Sequence, residues 1–85
     1  MTKKELEEAG RELLILETLA KISSYRQEIE GYQQRYGSFE RVEAAAHAVG
    51  EEDFELDDAY NMWCWARERL AQLEETLRSL ETDAA

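Results

Sequence analysis

Leu56, Ala59, Trp63, Ala66, Leu70, Leu73, Leu77 and Leu80 recur in alternating steps of three and four residues. That is the seven-residue recurrence of a helix that presents one continuous apolar seam to another helix. It predicts a helix over about residues 57–81 and demands a second rod for the seam to lie against. Arg67, Glu68, Arg69, Glu74, Glu75 and Arg78 fall mainly off the seam, as a solvated outer face requires.

The second rod is legible upstream. From about Lys3 to Tyr36 the apolar residues form two overlapping stripes. One is Leu6, Ala9, Leu13, Leu16 and Ala20; the other is Ile15, Leu19, Ile22, Tyr25, Ile29, Tyr32 and Tyr36. Each keeps helical spacing, and together they make an apolar arc wide enough for two neighbours. Gly37 breaks the pattern and Ser38 has the side chain of an N-cap. Phe39, Val42, Ala46 and Val49 then mark a short helix over about 39–49, closed by Gly50. Glu51 to Asp58 reads as an acidic connector with Phe54 and Leu56 as apolar anchors and Asp57 as the next N-cap.

The predicted fold is therefore all-α: residues 1–85 as a single helical domain, a long antiparallel hairpin with a short third helix between the two long ones. Tyr36 is expected near Leu56, and Leu80 near Leu13. A hairpin alone leaves much of the arc exposed, so pairing as a homodimer into a four-helix bundle is expected.

Twenty acidic residues against ten basic ones give a net charge of −10 in 85 residues. Phosphate contact needs a basic footprint, so direct nucleic-acid binding is not expected. An anionic membrane surface repels the same charge. No apolar run approaches the roughly 20 residues that span a bilayer, and Met1 to Glu8 lacks the apolar core of a signal peptide. A cytoplasmic protein is the expectation. A lone Cys64 forms no internal disulfide.

Enzyme chemistry finds little to stand on. His47 is the sole histidine, and Glu43–His47 lacks the paired Glu-x-x-His motifs of a helical di-iron centre. Cys64 has Tyr60, Asn61, Arg67 and Glu68 as helical neighbours but no base. In the acidic run the glycine precedes the carboxylates, contrary to a calcium-binding loop. No catalytic residue, metal site or cofactor is assigned. The expected role is non-enzymatic protein binding. Trp63 belongs to the seam, and Trp65, about 200° further round, does not. Met62 and Trp65 share another face, which is expected to pack under Phe39, Val42 and Ala46 or else to bind a partner. Glu51, Glu52, Asp53 and Asp58 supply charge for a basic one.

Two motifs carry a family resemblance. Ile29-Glu30-Gly31-Tyr32-Gln33-Gln34-Arg35-Tyr36-Gly37-Ser38-Phe39-Glu40 ends one helix at Tyr-Gly and opens another at Ser-Phe-Glu. Asp57-Asp58-Ala59-Tyr60-Asn61-Met62-Trp63 leads into the leucine heptad. From Ile29 to Leu80 this resembles the small acidic helical proteins of bacteria and archaea encoded beside toxin-like genes and regarded as antitoxins. Gly50 and Ala44-Ala45-Ala46 depart from the more charged middle helix of that group. The resemblance implies an acidic hairpin that neutralises a basic protein without a DNA-binding domain of its own. The alternatives are a self-associating structural or adaptor bundle and an acidic nucleic-acid mimic.

Overall fold

In the computed structural model, described for residues 1–48 and 53–82, three helices follow in order: α1 Lys3–Tyr36, α2 Phe39–Ala46 and α3 Phe54–Thr82. Among the described residues there is no strand. Two ion pairs fix the hairpin direction. Arg26 meets Glu74 at 3.4 Å and Arg35 meets Glu55 at 2.5 Å, so one index rises as the other falls. The molecule measures 64 × 17 × 17 Å.

Caps set the helix bounds. Thr2 Oγ1 accepts from the Glu5 N–H at 3.2 Å and Ser38 Oγ from the Arg41 N–H at 3.2 Å. Both satisfy donors that the first turn leaves open. Gly37 adopts φ 90°, a conformation that a Cβ disfavours, and its N–H donates to the Gln33 carbonyl at 2.9 Å. The chain can therefore turn from α1 into α2 within two residues. α2 ends at Ala46, earlier than the expected residue 49. The Ala48 N–H donates to the Ala45 carbonyl at 3.3 Å, a tightened last turn that closes a helix, and His47 Nδ1 lies 2.9 Å from the Glu43 carbonyl. The role expected of Gly50 lies outside the described residues.

α3 begins one turn before the expected residue 57. Asp53, not Asp57, is the cap: its Oδ1 accepts from the Leu56 N–H at 3.2 Å, and the Asp57 N–H donates to the Asp53 carbonyl at 2.9 Å. The two aspartates are four residues apart, so both carry the right side chain one turn from each other. The earlier start overturns the reading of Phe54 as an anchor. Leu56 sits on the seam and is half-buried, which turns Phe54, about 200° away, outward; it is 73% exposed.

Every residue of the α3 seam is buried or half-buried. On α1 the matching set is Arg11, Ile15, Thr18, Ile22, Tyr25, Ile29, Tyr32 and Tyr36, itself an unbroken alternation of fours and threes. Thr18 holds the position that the sequence pattern gave to Leu19. A buried threonine is tolerated because its hydroxyl donates to the Leu14 carbonyl of its own helix at 2.7 Å. The other stripe, Leu6 to Ala20, takes no part in the seam and is exposed along its length.

The core centres on Trp63, 0% exposed. Tyr32 stacks on it at 5.6 Å from α1, and Phe39 meets it edge-on at 5.3 Å from α2. Its indole Nε1–H finds no hydrogen-bond partner, which costs about 1–3 kcal/mol. Burial of so large a ring outweighs that loss. Trp63→Ala should cost about 3–5 kcal/mol in urea denaturation, whereas Trp65→Ala, half-exposed and held edge-on by Tyr25, should cost only about 1 kcal/mol. Equal losses at the two positions would refute this arrangement of the core.

Candidate partner-binding surface

α2 acts as a cover, and its placement decides which aromatic residues stay in contact with water. Phe39 stacks on Tyr60 at 5.7 Å while touching Trp63, and the Arg67 guanidinium lies 3.8 Å over its ring. Val42 of α2 is buried, and His47 meets Tyr60 edge-on at 5.4 Å. This packing lies on the Tyr60 side of the seam. The expectation that Phe39, Val42 and Ala46 cover Met62 and Trp65 is therefore overturned: Met62 is 50% and Trp65 52% exposed.

These two residues do not stand alone. Phe54, Asp58, Met62 and Trp65 follow one another at steps of four, four and three along α3, which places them on one outward face. All four are exposed. The face is about 16 Å long at 1.5 Å per residue. One edge of Trp65 is held by Tyr25, ring centroids 5.6 Å apart, so the indole is backed on one side and open on the other. Asp53 lies just before the face as the α3 cap. Of the six residues singled out from sequence, Asp58, Met62 and Trp65 come together here and Asp53 sits at the end of the face. Glu51 and Glu52 lie outside the described residues. Phe54 belongs to this face and not to the connector's apolar anchors; its signal in the sequence is the eleven-residue interval to Trp65, about three helical turns.

Charge surrounds the apolar anchors. Glu55 pairs with Arg35, while Glu68 and Arg69 are exposed beyond Trp65 and Arg69 donates to Gln72 at 3.2 Å. An apolar row set in an acidic chain suits a partner with a hydrophobic groove and a basic rim.

The opposite side holds the groups with reactive potential. Tyr60 donates to a Glu43 carboxylate oxygen at 3.3 Å. The Cys64 side chain beside it, then burial and the Glu43 charge, push its phenol up to about 12. Burial, together with a hydrogen bond of 3.1 Å to Glu28, also raises Tyr32. Cys64 is half-buried, with no imidazole among its neighbours one turn away. Among the described residues no three His, Cys, Asp or Glu side chains converge in a way that holds a metal ion, and no helix is long and apolar enough to cross a membrane. No protein family, curated protein or solved structure matches the chain.

Tyr60 yields a pH test. A phenol whose folded value is raised binds its proton more tightly when folded. Its contribution to stability is complete below the ordinary value of 10.0 and is lost as pH rises towards about 12. A spectrophotometric titration should show tyrosine ionisation extending well beyond the ordinary range, and Tyr60→Phe should remove its last step. Four tyrosines titrating together while the helices persist would contradict the contact.

Proposed function

We propose that this chain is a non-enzymatic protein-binding module, in which the outer face of α3 docks into an apolar groove rimmed by basic residues. The antitoxin-like role implied by the family resemblance is its most specific form: an acidic hairpin that neutralises a basic protein by covering its working surface. The observation that carries the reading is the exposure of Trp65 and Met62 in line with Phe54 on a helix whose other face packs against α1 and α2.

Three features support it. Tryptophan is enriched among residues that dominate binding energy, and here Tyr25 reduces the freedom the indole must lose on docking. Apolar anchors at Phe54 and at eight and eleven residues beyond it match the way a single helix is read by a groove. A net charge of −10 steers the chain toward a positive surface and speeds the encounter.

The test is titration of the protein with the product of a neighbouring basic reading frame, followed by tryptophan emission. Binding should shift Trp65 emission to the blue, weaken with added salt, and lose about 2 kcal/mol or more on Trp65→Ala. Charge reversal of Glu51, Glu52 and Asp58 should act mainly through a slower association rate, whereas reversal of Asp53 also removes the cap of α3. Affinity indifferent to both Trp65→Ala and salt would exclude this face as the docking site.

A further inference from the structure

The stripe that the hairpin leaves unused lies roughly 180° around α1 from the seam. Leu6, Ala9, Leu13, Leu16 and Ala20 keep heptad spacing, and the three leucines are each more than half exposed. The same register continues into Ser23 and Gln27, so the apolar part is confined to the first half of the helix. The N-terminal turns of α1 run past Thr82, the last described residue of α3. From the Arg26–Glu74 pair, α1 extends another 23 residues to Lys3 while α3 extends only 8 to Thr82. Residues 1–10 are all exposed.

We infer that this stripe is the docking site for a second copy of the same chain, laid antiparallel against it. The charges beside the stripe select both occupant and direction. In the antiparallel register centred between Leu14 and Ile15, Leu13 of each copy faces Leu16 of the other, and Ala9 faces Ala20. Leu6 faces Ser23. The flanking positions then bring Glu5 opposite the second copy's Arg26 twice over, and Glu12 opposite Leu19. A parallel pairing in register sets Glu12 against the second copy's Glu17, a like-charge contact made twice. Arg26 donates one long bond of 3.4 Å to Glu74, and its guanidinium retains donors for a second carboxylate. The alanines at Ala9 and Ala20 let the two helices approach closely. Each projecting N-terminal segment is thereby covered by the other copy.

The result is a flat layer in the order α3, α1, α1, α3 rather than a square four-helix bundle. The outer α3 faces stay open, so self-association and partner binding use opposite sides of the hairpin and stand or fall separately.

Mass by light scattering across a wide concentration range is the first measurement. The parent chain should reach the dimer mass. Leu13→Glu with Leu16→Glu should remain a helical monomer whose melting point no longer rises with concentration as the parent's does, and Trp65→Ala should leave the dimer intact. Glu5→Arg should weaken association roughly tenfold, and adding Arg26→Glu should restore it. Direction is read by crosslinking in a Cys64→Ser background: Ala9→Cys mixed with Ala20→Cys should form the mixed disulfide, and either alone should not. A monomeric parent at every concentration, a dimer that survives the double glutamate variant, or crosslinking of Ala9→Cys to itself would overturn the inference.

Discussion

The structure depends on one buried ring. Trp63 is the place where all three helices meet: α3 supplies it, Tyr32 of α1 stacks on one face and Phe39 of α2 closes its edge. A two-helix hairpin has a narrow interior in which few side chains are fully enclosed, and an indole supplies more apolar contact there than any aliphatic residue. The unpartnered Nε1–H is the cost of enclosing it. α2 is only 8 residues long and too short to hold helical structure unaided, so its order rests on Phe39 and Val42 being received around this ring.

Once Trp63 is fixed inward, helical geometry disposes of its neighbours. Residues two apart point about 200° away from each other, so Trp65 must face out wherever Trp63 faces in, and the same holds for Phe54 and Leu56. The exposed apolar row of α3 is thus a mechanical consequence of the seam. α1 behaves likewise: with Ile15, Ile22 and Ile29 engaged by α3, Leu6, Leu13 and Leu16 have nowhere to point but away. A chain that spends leucine and tryptophan on outward faces of both long helices has more apolar surface than its own fold consumes, and such surface marks an interaction.

The acidic charge works alongside that surface. Ten excess negative charges oppose indiscriminate association of a molecule with exposed leucines. The −10 field opposes self-association in general and favours contact where opposite charges fall in register, as the proposed pairing of Glu5 with Arg26 would bring about. A basic surface meets no such opposition.

Much of this was legible in the residues. The α3 seam follows from uninterrupted threes and fours, and the turn at Gly37 and Ser38 from a backbone that accepts positive φ followed by a capping hydroxyl. Both are local properties, expressed by covalent geometry and hydrogen bonding within a few positions. The choice of Thr18 over Leu19 for the seam, the selection of Asp53 over Asp57 as cap, and the side of the hairpin on which α2 lies were settled by packing between helices distant in sequence. The spacing showed that α1 carries two stripes and that Trp65 leaves the seam. Only contact with Tyr32, Phe39 and Trp63 decided which stripe is buried and that Trp65 remains open, because covering a face depends on where another helix can reach.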